Sequence, residues 1–281
     1  MMRFGLAGYP LGHSLSPLIF RTAFEECELH GDYALIQIHP ENPQGLAEML
    51  EKMREGHFDG LNITIPFKQR VMPLLDEITA TARMIGAVNL IYVKEGELVG
   101  DNTDAAGFMA DLSRWMTIDS VEQSKNALVL GAGGAARAVV FALAARGWKV
   151  TIAARNIDQA NAIITQFQPA FSQIDALNLT KQEIGAGSVD WKLIVNSTPV
   201  GMHPVCDASP WPSGLQFPPG STIYDLVYNP RETRFIREAR RSHLTAISGI
   251  GMLVEQAALA FEKWTNRKFS RNGIFAALEG K

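Results

Sequence analysis

An α/β chain of two units, the second built on a parallel doubly wound sheet, is the fold that the sequence predicts. Short apolar runs alternate with amphipathic stretches of helical spacing over most of the chain. One buried run, Asn126 to Leu130, turns through Gly131-Ala132-Gly133-Gly134-Ala135-Ala136-Arg137 into the alanine-rich stretch Ala138 to Arg146. From Gly249 onward the pattern is helical only.

Taken in order, Phe4 to Ala7 and Tyr33 to Ile38 read as strands, and Pro17 to Glu28 and Pro43 to Glu55 as helices. Ser16 is the expected N-cap, with Pro17 at the first helical position. Asp59 to Ile63, Val88 to Val93 and Leu98 to Gly100 continue the strand series, and Lys94-Glu95-Gly96-Glu97 is a hairpin turn. A helix from Asp104 to about Trp115 opens the second unit and is followed by the polar stretch Thr117 to Lys125. After the glycine-rich turn come strands at Trp148 to Ala153, Leu193 to Asn196, Thr222 to Asp225 and Leu244 to Ile247. Met252 to Trp264 and Ser270 to Leu278 are the closing helices. The first unit lacks helical cover on one face, so the tail is expected to return to it. The expected domains are therefore 1–103 completed by 249–281, and 104–248. Trp115 and Trp264 are expected in the core, and the arginines of 231–241, interleaved with Glu232 and Glu238, on a solvated helix face.

A net charge of −3, a hydrophobic content of 47% and a mean hydropathy of +0.01 describe an ordinary globular protein and point to neither nucleic acid nor membrane. Cys27 and Cys206 lack metal-ligand or Cys-x-x-Cys spacing, and the histidines are scattered, so no metal is expected. The N-terminal apolar run is broken by Pro10 too soon for a signal peptide, and Ala127 to Ala145 carries three glycines and Arg137. A cytoplasmic location follows as an expectation.

The glycine-rich turn sits between a buried strand and a helix, where backbone N–H groups and a helix N-terminus can hold a pyrophosphate. Gly131, Ala132, Gly133, Gly134 and Ala135 are the candidate cofactor residues of a Rossmann-like dinucleotide site, with Ala136 a tolerated third position. The next strand ends in Ala153-Ala154-Arg155-Asn156, without the acidic residue that bonds an NAD ribose. Arg155 can instead hold a 2′-phosphate, which favours NADP and leaves NAD possible. The plainer reading of Arg155 is a solvated residue partnered by Asp158.

Lys68, in Asn62-Ile63-Thr64-Ile65-Pro66-Phe67-Lys68, and Asp104, after Asn102-Thr103, lie upstream of that turn. A lysine and an aspartate can trade a proton with a substrate hydroxyl, which suggests an alcohol oxidised by a nicotinamide; on spacing alone they are surface residues. Gly12-His13-Ser14-Leu15-Ser16-Pro17, Asn62 to Lys68, Gly86-Ala87-Val88-Asn89, Asn102-Thr103-Asp104, the glycine-rich turn, Asn196-Ser197-Thr198-Pro199-Val200-Gly201, Asp225-Leu226-Val227-Tyr228-Asn229-Pro230 and Gly249 to Gln256 occur in one order. In that order they resemble the motifs of the shikimate dehydrogenase family, from the first strand to the last helices.

The resemblance implies that Ser14 and Ser16, helped by Tyr228, bind a substrate carboxylate, and that Thr64, Asn89 and Gln256 hold ring hydroxyls. It implies Lys68 and Asp104 as the catalytic pair, and Thr198, Leu226 and Gly249 beside Arg155 on the cofactor side. The small-molecule substrates implied are shikimate and 3-dehydroshikimate. Two positions depart from the pattern. Gln159 stands where a second arginine falls in NADP-using members, and Leu226 where many have methionine. A relative preferring quinate or NAD, and a catalytically silent binding protein, stay open as alternatives, as do monomer and homodimer.

Overall fold

The computed structural model describes residues 1–118, 125–186 and 189–279. Most of the polar stretch Thr117 to Lys125 lies outside them. Two compact units emerge: Met1–Gly107 together with Val254–Lys281, and Phe108–Leu253.

In the first unit the chain runs β1 (Met2–Gly8), α1 (Ser16–Glu26), β2 (Gly31–Gln37), α2 (Gly45–Arg54), β3 (Gly60–Ile63), β4 (Glu77–Ile78), α3 (Ala80–Ile85), β5 (Leu90–Lys94) and β6 (Glu97–Asp101). Helix α4 (Asp104–Leu112) leads out. The sheet order is β2-β1-β3-β5-β6-β4; β1 is parallel to both neighbours, whereas β5 is antiparallel to β3 and to β6.

Residues on the two sides of this sheet belong to different cores. Leu46, Met49, Leu50 and Met53 of α2 pack with Leu61, Ile63, Phe67, Val71 and Ile91. The other core is aromatic: Phe4 stacks on Trp264 with centroids 4.5 Å apart, and Phe20 stacks on Tyr33 at 4.2 Å. The Trp264 indole donates to the Ile91 carbonyl at 3.0 Å, and a Cβ on Gly60 would stand 2.2 Å from its Nε1. Glycine at 60 thus lets the indole lie on the sheet, where stacking adds to area burial.

The second unit continues with β7 (Asn126–Leu130), α5 (Gly134–Ala144), β8 (Lys149–Ala154), α6 (Ile157–Phe167), β9 (Ile174–Asn178), α7 (Lys181–Ala186), β10 (Leu193–Asn196), β11 (Thr222–Asp225), α8 (Arg234–Arg241) and β12 (Thr245–Ser248). The chain ends in α9 (Ile250–Thr265) and α10 (Arg271–Glu279), which fall mostly in the first unit. All six strands are parallel, in the order β12-β11-β10-β7-β8-β9. From β7 the chain proceeds outward one way through β8 and β9, and the other way through β10 to β12. The β7/β10 boundary is therefore the topological switch point at which doubly wound sheets bind ligands. Register aligns Leu130 with Asn196 and Asn196 with Asp225, so three strand ends form one row there.

Two expectations differ from the structure. Trp115 is 56% exposed, because α4 stops at Leu112 and the tryptophan falls in the turn beyond it. The N-cap of α1 is Leu15, and Ser16 is the first helical residue. The run Met72–Ile85, to which the sequence pattern assigns no element, holds a 3-10 turn, a two-residue strand and α3, elements too short to leave a period.

Candidate active site

In the first unit, four of the residues named from sequence meet in one hydrogen-bonded cluster. Lys68 follows β3 beyond Pro66, and its ammonium donates to Asp104 Oδ2 at 2.5 Å; the side chains are 14% and 5% exposed. Asp104 opens α4, where the helix dipole favours a carboxylate. The Asn102 side chain accepts the N–H groups of Asp104 at 3.0 Å and Ala105 at 3.3 Å, and donates to the Ala87 carbonyl, which anchors the start of that helix.

Asn89 completes the cluster. Its Nδ2 donates to Asp104 Oδ1 and Thr103 Oγ1, each at 2.9 Å, and reaches Gln256 Oε1 at 3.4 Å; its Oδ1 accepts from Thr103 N. The pair Asp104–Asn89 thus fixes one face of the lysine. An ammonium has three hydrogens, so Lys68 keeps donors for a substrate oxygen. Beneath Asn89, Asn62 Nδ2 donates to its carbonyl at 3.1 Å, and Tyr33 O–H donates to Asn62 Oδ1 at 2.8 Å.

Among the described residues no hydrogen bond links Ser14, Ser16 or Thr64 to this cluster. Ser16 is buried and its N–H donates to Ser14 Oγ at 3.3 Å at the start of α1. Thr64 is half-buried after β3, and His13 is exposed. Tyr228 is half-buried and belongs to the second unit.

In the second unit the candidate cofactor residues line the switch point. Gly131 has φ of +108°, and a Cβ there would stand 2.8 Å from Thr198 Cγ2 and 2.9 Å from Ser197 Oγ. Glycine is therefore required where the chain leaves β7. Gly133 is the N-cap of α5, with nothing within 4 Å of its Cβ position, and Gly134 and Ala135 supply the first N–H groups of the helix. Open space in front of unpaired helix N–H groups is the cradle a pyrophosphate needs, so these residues fit a dinucleotide. Ala132 is half-buried between them. Leu226 N donates to the Asn196 carbonyl at 2.9 Å, and buried Gly249 follows β12 with its N–H 3.4 Å from the Val227 carbonyl.

Arg155 and Thr198 line a cavity of about 1070 Å³ with Leu179, Trp211 and Phe217. Arg155 is exposed, and among the described residues no ion pair joins it to Asp158. Asp158 instead donates its N–H to Asn156 Oδ1, the cap of α6. Gln159 is exposed on the first turn of α6.

Family models match three stretches: a shikimate dehydrogenase substrate binding domain over residues 6–91, shikimate / quinate 5-dehydrogenase over 116–198, and a shikimate 5′-dehydrogenase C-terminal domain over 249–279. A relative from Salinibacter ruber, named shikimate dehydrogenase (NADP(+)), is 42% identical over 277 residues, covering 97% of this chain and 95% of its own. The chain belongs to the shikimate dehydrogenase family. A solved shikimate 5-dehydrogenase from Thermus thermophilus, in complex with NADP(H) and shikimate, is 37% identical with a TM-score of 0.84, covering 100% of this chain and 99% of that one. A shikimate 5-dehydrogenase from Listeria monocytogenes, in complex with shikimate and NAD, is 27% identical with a TM-score of 0.85, covering 99% and 96%. The two-unit α/β architecture, with a Rossmann-like second unit, is that of the family.

Asn62, Asn196 and Asp225 fall inside the family motifs, and their residue types alone give them no role. All three are buried. A polar residue at or near the end of an otherwise apolar strand run was the available signal, since buried polar groups are retained only where partners satisfy them.

Proposed function

We propose that this chain catalyses the reversible reduction of 3-dehydroshikimate to shikimate with NADPH. The observation that carries the reading is the Lys68–Asp104–Asn89–Gln256 cluster, an acid/base pair walled by two amides that can both donate to and accept from ring hydroxyls. The names of the relatives support the substrate and the cofactor.

Bound reduced nicotinamide would supply the hydride, and Gly131 to Ala135, Thr198, Leu226, Gly249 and Arg155 would hold the dinucleotide. In the reducing direction the Lys68 ammonium donates a proton to the carbonyl oxygen; in the oxidising direction Lys68 Nζ accepts the hydroxyl proton. Asp104 holds Lys68 through its Oδ2 and is held by Asn89 through its Oδ1. Ser14 and Ser16, at the start of α1, take the substrate carboxylate, which a helix N-terminus favours. We read the protein as cytoplasmic, and as a monomer or homodimer; among the described residues no helix is long and apolar enough to cross a membrane.

Initial rates of NADPH or NADH formation at 340 nm, for shikimate and quinate each with NADP+ and NAD+, test this reading. Fast turnover with shikimate and NADP+ is the expected result. Comparable rates with NAD+ would show that Gln159, where a second arginine falls in NADP-using members, relaxes the cofactor choice. A folded protein that binds NADP+ and is silent in all four assays would overturn the assignment.

A further inference from the structure

Asp225, the last residue of β11, is a fully buried carboxyl group. Its carboxylate is met by neutral donors: Asn196 Nδ2 at 2.8 Å and Val227 N at 3.0 Å on Oδ1, and the Thr233 hydroxyl at 2.6 Å on Oδ2. Burial pushes its carboxyl up to about 6, against those three hydrogen bonds. Among the described residues no cation pairs with it, and a buried carboxylate without one is costly, so a site that keeps one uses it for something that an apolar side chain cannot do.

The donors show what that is, since each belongs to a different piece of the strand-end row. Asn196 closes β10, Val227 follows β11, and Thr233 caps α8 by accepting from Ile236 N at 3.2 Å. Asn196 passes the constraint on. Its Oδ1 accepts from Thr198 N at 3.0 Å and Thr198 Oγ1 at 2.7 Å, while its Nδ2 also reaches the Val200 carbonyl at 3.3 Å. Thr198 is in turn the side chain pressed against Gly131. On the other side, the Val227 N–H held by the carboxylate belongs to the residue directly after Leu226.

We propose that Asp225 is a positioning residue for the cofactor groove: through Asn196 it holds Thr198 against Gly131, and through Val227 it holds Leu226. The proposal rests on the dinucleotide reading given above. A carboxylate suits the place because it accepts three donors with no hydrogen of its own to accommodate. An asparagine there keeps one oxygen for Asn196 and Val227, and its amide can turn to a Thr233 hydroxyl that reverses. Alanine keeps nothing.

NADP+ titration, monitored by calorimetry on folded wild type, D225A, D225N and N196A, tests it alongside the Michaelis constant for shikimate at saturating NADP+. Loss of a buried acceptor or donor should weaken NADP+ by about tenfold in D225A and N196A. D225N should recover affinity to within about threefold of wild type, and the shikimate constant should move by less than about threefold throughout. N196A leaves the carboxylate two of its three donors, so it reports even if D225A does not fold. A folded N196A with wild-type NADP+ affinity would overturn the proposal, as would equal losses for NADP+ and shikimate. Wild type that fails to bind NADP+ at all would instead remove the dinucleotide reading on which the proposal stands.

Discussion

The two units hold their candidate residues by different means. In the first, the working groups are side chains, and each is fixed by another side chain: Lys68 by Asp104, Asp104 by Asn89, Asn89 by Thr103 and Gln256. In the second, the candidate cofactor surface is backbone, shaped by the absence of side chains at Gly131 and Gly133, with polar residues buried behind it at Asn196 and Asp225. Chemistry that moves a proton needs a titratable group with a fixed partner, whereas an anion cradle needs N–H groups and room. Substitutions should therefore fail differently in the two units.

The largest effect is expected where a side chain is the machinery. Asp104→Asn keeps the shape and removes the anion that holds the Lys68 ammonium, so turnover should fall by about a hundredfold or more. Steady-state rates check this, with circular dichroism to confirm the fold. Retained turnover would show that Lys68 works without its partner and would break the contrast.

Behind the second unit's rim, a pH-dependent stability is expected. Burial raises the Asp225 carboxyl from 3.8 to about 6, so the folded state holds that proton more tightly than the unfolded one. Its contribution is fully present below about pH 4 and is lost as pH rises through about 6, near two units at about 1.4 kcal/mol each, or about 3 kcal/mol. Urea unfolding of wild type and Asp225→Asn at pH 4 and pH 7 measures it: the variant should gain on wild type at the higher pH. Parallel pH profiles would contradict it.

Gly131→Ala should act on shape alone. The positive φ and the 2.8 Å approach to Thr198 cost about 1–3 kcal/mol, which amounts to about tenfold or more in NADP+ affinity if the loop shifts to relieve them. Binding titration checks it, and the shikimate Michaelis constant should stay close to wild type. The smallest change is a gain. Gln159→Arg adds a cation on the exposed first turn of α6, and the preference for NADP+ over NAD+ should rise about threefold, the size of a surface charge interaction. The ratio of the two specificity constants reads it directly.

The same contrast explains what was legible in the sequence. The glycine-rich turn announced itself because Asn126–Leu130 is wholly apolar after its first residue and Gly131 must be glycine; both facts are written in residue type. Lys68 and Asp104 were legible through the motifs around them, since 36 positions separate them and only the fold brings them to 2.5 Å. The supporting shell was not legible. Tyr33, Asn62, Asn196 and Asp225 act through hydrogen bonds between distant segments, which leave no period in the chain. Trp115 misled for a related reason: its apolar bulk suits a core, but α4 ends three residues before it.

The central claim is that Lys68 carries the chemistry while the second unit's rim carries the cofactor. It is tested most directly by one variant, Lys68→Ala, titrated with NADP+ and with shikimate and then assayed for turnover. The account predicts NADP+ affinity like that of wild type, shikimate affinity within a few-fold, and turnover lower by about a hundredfold or more. Turnover within a few-fold of wild type, with only the Michaelis constants changed, would make Lys68 a binding residue and contradict the account.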